Sequence, residues 1–572
     1  MTPVHLKTLE AKPHTAVYRM HKYFARRPWN VFSDFLSHYS SEGDIVLDPF
    51  CGGGVTVVEA LKLHRKAVGV DVNPIATYVT SMECAPIDLV EFRSLFTQLT
   101  NRIMSELSSF YRTRCNKCQS EAIADWLEWD EKTKSIIRIK CDCPTCGTIE
   151  KVATASDHRL VRDIERNFES IVKERDLWYP LTRIPNGVKT DYLLAQKLVG
   201  FHQLFTRRNL LALSILRKEI ARLPNVPAKD ILSFAFSSSL KWASRQSHLR
   251  GEIVEGWAMH AYWIYPKSLE LNVWNIFKRR FNAVYRGKNY SNDHIGNFLR
   301  LAHEFHELLV GDATCLILNR TSANLPIPDN TIDAVITDPP YGGNVNYTEL
   351  SDFWYVWMND GELIEKKDEV IINRTQRKTL ADYETLLQGI FKECYRVLKP
   401  GRYLVSTFNS KDFRVVASFI SAAVRSGFTL PSNSVKYQAP IRPYMTTFHA
   451  MQIGAFVGDF VFAFRKNPAR LRAMAEDVQL HSLKNALARV VDESAKSGRP
   501  EPKIRERAYG LLIPFLTKHA LTQETACREA ADFFEREIRL YEGHLKSTRE
   551  RLTETRRRKF RKSTENSNSG HH

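Results

Sequence analysis

Three groups of residues have types and spacings that suit chemistry. Cys115-x2-Cys118 and Cys143-x2-Cys146 are separated by twenty-four residues. Two such pairs make two tight knuckles, and four thiolates complete a closed tetrahedral zinc site. A closed site offers substrate no open position, so its expected role is structural or partner-contacting and not catalytic, with Cys141 a spare thiol that could replace Cys143. The second group is Asp48-Pro49-Phe50-Cys51-Gly52-Gly53-Gly54, followed by Asp71. Glycines let backbone approach a ligand, and an acid some twenty residues on suits the two hydroxyls of a ribose. A dinucleotide-binding turn would read the same way, although the spacing here is not GxGxxG. The third group is Asp338-Pro339-Pro340-Tyr341, a carboxylate, two φ-fixing prolines and an aromatic ring.

Each group needs a frame. Asp44–Asp48 reads as a buried strand, Val55–Leu63 as a helix and Ala67–Asp71 as a second strand, together one βαβ unit. Leu308–Asp312 and Ile332–Thr337 read as further strands. In that reading Gly311-Asp312-Ala313 sets Asp312 at a strand end, where it could accept from an adenine amino group, and the Asp338 loop lies at the carboxyl end of its strand, where ligands bind in open α/β sheets. A helix over Tyr383–Leu398 ends at Lys399-Pro400-Gly401, and Arg402–Phe408 and Gly458–Phe464 read as later strands.

The expected fold is α/β, a Rossmann-like domain split by a long insertion. Residues 1–85 form its first half with the cofactor motif. Residues 86–300 are the insertion, with a zinc ribbon at about 111–150 and a candidate target-recognition region. Residues 301–466 form the second half, and 467–572 a helical extension with a break at Ser497–Pro502 and a basic tail, Arg556–Lys562, expected to be disordered.

The Asp338 tetrapeptide matches (D/N/S)PP(Y/F/W), and here the chain resembles the N6-adenine and N4-cytosine amino DNA methyltransferases. Asp48-Pro49-Phe50 resembles their motif I, which favours S-adenosylmethionine over a nicotinamide cofactor. With His21–Trp29 (HKYFARRPW) and Asn344–Trp357 (NVNYTELSDFWYVW), the chain is similar to the adenine-specific DNA methylases that contain a zinc ribbon, up to about Arg465. The resemblance implies catalytic roles for Asp338, Pro339, Pro340 and Tyr341. It implies cofactor contacts from Asp48, Pro49, Phe50, Gly52, Gly54, Asp71 and Asp312. An exocyclic amine is a poor nucleophile because its lone pair is delocalised into the ring. Hydrogen bonds to the Asp338 carboxylate and Pro339 carbonyl would localise that pair, and Tyr341 would stack on a flipped base. Asp at the first position leans toward adenine N6 over cytosine N4. Arg26 or Arg27 is expected either to face the cofactor carboxylate or a DNA phosphate, or to belong to a packed aromatic lid.

Charge agrees with a polyanionic partner. Lys and Arg total 82 against 64 Asp and Glu, for a net +18. Phe205–Asn209 (FTRRN) and Lys241–Arg250 (KWASRQSHLR) are candidate contacts to double-stranded DNA, whereas Trp257, Trp263 and Trp274 are expected in the core. Polar, charged residues up to Asn30 and the absence of an apolar run of about 20 residues argue for a cytoplasmic protein with no membrane contact. A restriction nuclease or other defence-system protein is a candidate partner. An RNA methyltransferase and a zinc-ribbon binding protein with an inactive methyltransferase fold are the competing readings.

Overall fold

The computed structural model describes residues 9–431, 434–438, 459–467, 480–496, 501–520 and 525–541. The chain forms two compact units. The larger comprises Ala11–Asp382 and Arg396–Val405; the smaller comprises Met1–Glu10, Tyr383–Tyr395 and Ser406–His572.

In the larger unit, β1 (Ile45–Asp48) and β2 (Lys66–Asp71) flank the glycine turn and the Val55–Lys62 helix. All four β1 residues are buried, as expected of a strand covered on both faces. Five strands follow in an antiparallel sheet: β3 (Arg112–Arg114), β4 (Glu121–Asp130), β5 (Ser135–Cys143), β6 (Gly147–Val152) and, after a short hairpin of β7 (His248–Arg250) with β8 (Ile253–Glu255), β9 (Lys267–Leu271). β3 and β9 pair with the first and second halves of β4. The chain then returns to the first sheet with β10 (Cys315–Asn319) and β11 (Ala334–Thr337), giving a parallel order β10-β2-β1-β11.

The parallel register fixes which residues lie at which edge. Asp48 ends β1, Asp71 ends β2 beside Asn319, and Asp338 follows β11, so all three carboxylates stand at the carboxyl edge. Leu308–Asp312, expected as a strand, is not one. His306–Val310 is a helical turn, with the Gly311 N–H donating to the Glu307 carbonyl at 3.1 Å. The Glu307 carboxylate accepts the His303 and Glu304 N–H groups at 3.0 Å, capping that turn. Three apolar residues, Leu308–Val310, have no periodicity to separate strand from helix, and the cap decides it.

The Leu89–Ser109, Ala155–Glu174, Arg207–Ala221, Pro227–Ala243 and Val273–Ser291 helices pack on one another. Trp257 and Trp274 are buried as expected; Trp263 is not, being 39% exposed and stacked on Tyr192 with ring centroids 4.1 Å apart.

β12 (Tyr403–Phe408) follows the Leu380–Val397 helix. The smaller unit pairs β13 (Phe428–Thr429) and β14 (Val435–Gln438) antiparallel to β15 (Asp459–Lys466). Its helices Phe413–Arg425 and Glu501–His519 meet helix 525–541 through Glu535, which accepts from the Phe413 N–H at 2.6 Å and from Arg505 at 3.0 Å. Residues 497–500 of the expected break, and the whole basic tail, lie outside the described residues. No described helix is long and apolar enough to cross a membrane.

Candidate active site and four-cysteine centre

The turn after β1 is built by its glycines. Gly54 has φ +77°, and a Cβ there would meet Thr80 Oγ1 at 2.9 Å. It is also the N-cap of the Val55–Lys62 helix and has no side chain to accept from the first-turn N–H groups. Asp48, buried, accepts from the Thr337 hydroxyl at 2.6 Å and the Phe50 N–H at 3.1 Å. Burial pushes its carboxyl up to about 6 despite those bonds. The Pro49 carbonyl accepts from Ser322, at 2.7 Å, in the loop after β10. Asp71 accepts from the Gly52 N–H at 3.0 Å and the Asn73 N–H at 2.8 Å, and burial raises its carboxyl to about 7.

Because β11 lies next to β1, the Asp338 tetrapeptide emerges beside this turn, and the Thr337–Asp48 bond ties the two strand ends together. Arg27 donates from Nε to Asp338 Oδ2 and from Nη2 to the Tyr341 hydroxyl, which in turn donates to Asp338 Oδ1. The Arg27 guanidinium also lies over the Tyr341 ring, 4.9 Å from its centroid. Arg26 faces the other way. Its Nη1 donates to the Gly53 carbonyl at 2.6 Å and to Glu83 at 2.9 Å, and its guanidinium covers Tyr18. Glu83 is fully buried, which raises its carboxyl to about 7 against the opposing pull of Arg26. The two neighbouring arginines therefore do different work: Arg26 braces the glycine turn within a packed aromatic segment, and Arg27 reaches the tetrapeptide.

Asp312 does not join this group. It is exposed and precedes β10, at the amino edge of the sheet, opposite the edge that carries Asp48, Asp71 and Asp338. Asn319 and Arg320 hold the place at the carboxyl end of β10: the Asn319 amide and the Arg320 N–H both donate to the Asp71 carbonyl, at 2.9 and 3.1 Å. No motif announces Asn319. Sequence reasoning also misses Asn73 and Tyr23, although Asn73 leaves a signal. It precedes Pro74 after an acid-ended strand, an N-cap signature; its Oδ1 caps Ile75 and its amide donates to Ser351 at 2.8 Å. Tyr23, within the HKYFARRPW segment, stacks on Tyr347 at 5.8 Å and approaches Gly52, where a Cβ would lie 3.1 Å from the ring.

The candidate DNA-contact segments divide. In Phe205–Asn209, buried Arg208 pairs with buried Glu270, the Asn209 amide donates to the Ala243 and Leu271 carbonyls, and Thr206 caps the helix, whereas Arg207 is exposed. Removing one partner of such a buried pair costs about 3–5 kcal/mol, which suits a framework role. In Lys241–Arg250, Arg245 is tied to Glu131, while Lys241 and Trp242 are half-buried.

Cys115, Cys118, Cys143 and Cys146 converge, with all four sulfurs within 4.8 Å of one another. Tetrahedral zinc with bonds of about 2.3 Å separates its sulfurs by roughly 3.8 Å, so the set fits. Backbone N–H groups of Lys117 and Cys146 point at the Cys115 and Cys143 sulfurs, both at 3.4 Å, the knuckle geometry that steadies thiolates. Cys141 is buried in β5 and lies outside the cluster.

Two comparisons bear on this site. Residues 4–81, which contain the HKYFARRPW segment, the glycine turn and Asp71, match the family described as DNA methylase. The chain is also 23% identical over 86 residues to the Type II methyltransferase M.MjaII of Methanocaldococcus jannaschii, a stretch covering 15% of this chain and 16% of that protein. The family match thus lies in the cofactor-motif segment, independently of the tetrapeptide. The family match ends before the four cysteines.

Proposed function

We propose that the chain transfers a methyl group from S-adenosylmethionine to an exocyclic amine of a DNA base, adenine N6 first among them. The observation that carries the reading is the adjacency of two strand ends. The Gly52–Gly54 turn and the Asp338 loop leave neighbouring parallel strands at one edge and are joined by the Thr337–Asp48 hydrogen bond. The uncapped helix N-terminus after Gly54 suits an anionic group, and Asp71 suits ribose hydroxyls, so the residues fit the cofactor. S-adenosylmethionine would supply an electrophilic methyl on a sulfonium.

This chain's own residues would do the rest. Asp338 Oδ and the Pro339 carbonyl accept the two amine hydrogens and draw the nitrogen toward tetrahedral geometry; Pro340 holds the loop rigid. Before substrate arrives, both Asp338 oxygens are engaged, by Arg27 and by the Tyr341 hydroxyl. The entering amine takes the place of the Tyr341 hydroxyl on Oδ1, freeing the Tyr341 ring to stack on the base, while Arg27 keeps its bond to Oδ2 and holds the carboxylate in place. The middle segment, 86–300, is read as an insertion carrying structural zinc and DNA contacts. A nuclease partner would follow if the enzyme protects DNA in a restriction system.

The test incubates purified protein with methyl-labelled S-adenosylmethionine and either genomic DNA or tRNA, then digests to nucleosides. N6-methyladenine in DNA is expected. N4-methylcytosine would shift the base assignment, label in tRNA alone would replace DNA by RNA, and no label in either from a protein that binds the cofactor contradicts the reading.

A further inference from the structure

A second feature of the larger unit lies outside the site. A groove of about 470 Å³ opens beside the Val273–Ser291 helix, lined by Trp242, Val254, Arg279, Arg280, Asn282 and Arg286 among others. It is crowded with positive charge. The Lys241 ammonium lies 4.4 Å over the Trp242 ring and makes no hydrogen bond among the described residues. Burial, with Lys22 and Arg280 close by, pushes it well below its ordinary value. Arg280, lowered to about 10 by burial and by Arg286, is tied to the Arg19 and Met20 carbonyls. Arg286 is exposed and makes no ion pair among the described residues.

Acids facing this cluster are few and already used. Glu255 faces Lys241 but also meets Arg250 at 3.5 Å and His248 at 3.7 Å; Asp125 meets Arg279 at 3.3 Å. The Trp242 indole N–H is buried and has no acceptor. The ring reaches its position because residue 256 is glycine: a Cβ there would lie 2.7 Å from it. Arginines gathered along one groove, next to an unsatisfied buried donor, form a site suited to an anion.

We infer that this groove holds a backbone phosphate of the DNA strand, with Arg286 and the Trp242 N–H as its donors and Lys241 close behind the Trp242 ring. The inference rests on the DNA reading above. It favours a strand over a free anion because three arginines, Arg279, Arg280 and Arg286, line the groove along one helix, more cation than one small anion needs. Lys22, which is within electrostatic reach of Lys241, belongs to the same short segment as Arg27, the partner of Asp338. A phosphate in the groove would register the strand whose base is presented to that carboxylate.

The experiment measures binding of the full chain to a short DNA duplex by fluorescence anisotropy across a NaCl series. Arg286→Glu is compared with Lys278→Glu, an exposed lysine of the same helix outside the groove. Arg286→Glu is expected to weaken binding by about tenfold or more and to flatten the log–log salt slope by about 0.9 for each phosphate that is no longer neutralised. Lys278→Glu, with the same change in net charge, should leave the slope unchanged. Trp242→Phe, which keeps a ring and deletes the donor, should weaken binding severalfold. Equal effects of the two charge reversals, or none from either, overturn the inference. So does stabilisation by inorganic phosphate that Arg286→Glu abolishes while DNA affinity stays unchanged, since the groove then takes a free anion. If the wild-type protein transfers no methyl yet Arg286→Glu still weakens DNA binding selectively, the groove stands and the methyltransferase reading falls.

Discussion

Arg27 donates to the Asp338 carboxylate, bringing a residue from near the start of the chain to the loop after β11, 311 positions later. The same guanidinium reaches the Tyr341 hydroxyl, so one side chain holds both functional groups of the tetrapeptide. Asp338 and Arg27 are only 16% and 11% exposed at their side chains, which makes the pair sensitive to loss of either partner.

Replacing Arg27 therefore tests positioning. Arg27→Ala is expected to lower kcat for methyl transfer by about tenfold to a hundredfold, with cofactor affinity nearly unchanged. Arg27→Lys should recover only part of the loss, because an ammonium cannot bridge Asp338 and Tyr341 as a planar fork does. Steady-state kinetics with separately titrated cofactor decide this; equal activity of the alanine variant and wild type would contradict it.

Gly54→Ala should fail for two reasons at once. The backbone is at φ +77°, and the new methyl would press on Thr80 Oγ1 at 2.9 Å. A cost of about 1–3 kcal/mol is expected, read as a lower Tm, together with weaker cofactor binding as the turn shifts. Gly43→Ala, also at positive φ (+80°) but with nothing near its Cβ, should cost less and leave cofactor binding intact.

The cofactor step should depend on pH through Asp71. Burial raises this carboxyl from 3.8 to about 7. Between those values the folded chain keeps a proton that the unfolded chain has released, so this group's contribution to stability falls as pH rises through the window. Acceptance of two ribose hydroxyls requires the ionised form. Affinity for S-adenosylmethionine should therefore rise about tenfold from pH 6 to pH 8. Isothermal titration would show the step, and Asp71→Asn should bind weakly and lose Asp71's share of it. A flat wild-type profile would contradict this role.

The cysteine centre makes a clean distinction between neighbours. Cys143→Ser should lose tightly held zinc and destabilise the β3–β6 sheet, whereas Cys141→Ser should retain one zinc per chain, since Cys141 lies outside the cluster. Metal content by mass spectrometry after exhaustive dialysis checks both. Retention of zinc by Cys143→Ser together with its loss from Cys141→Ser would reverse the ligand assignment.

How much of this is legible in sequence depends on what kind of signal each residue leaves. Strands β1, β2 and β11 announce themselves as short apolar runs ending in an acid or a proline loop, and the parallel register then brings Asp48, Asp71 and Asp338 to one edge. The four cysteines are legible because metal geometry constrains their spacing. Asp312 misleads because Leu308–Asp312 has strand composition, and the capping of that turn by Glu307 is invisible in a hydropathy pattern. Arg208 and Asn209 resemble nucleic-acid contacts but are buried, because a charge in sequence does not reveal the acid, here Glu270, that meets it from elsewhere in the chain. The same limit hides the division of labour between Arg26 and Arg27, which composition alone renders identical.

The most direct measurement is single-turnover methyl transfer from prebound, labelled S-adenosylmethionine to DNA, run in parallel for the wild-type chain and Asp338→Ala. The account predicts that both bind the cofactor with similar affinity and that only the wild type transfers label at an appreciable rate, the variant being slower by about a hundredfold or more. Transfer by Asp338→Ala at the wild-type rate would mean that this carboxylate does not hold the reacting amine.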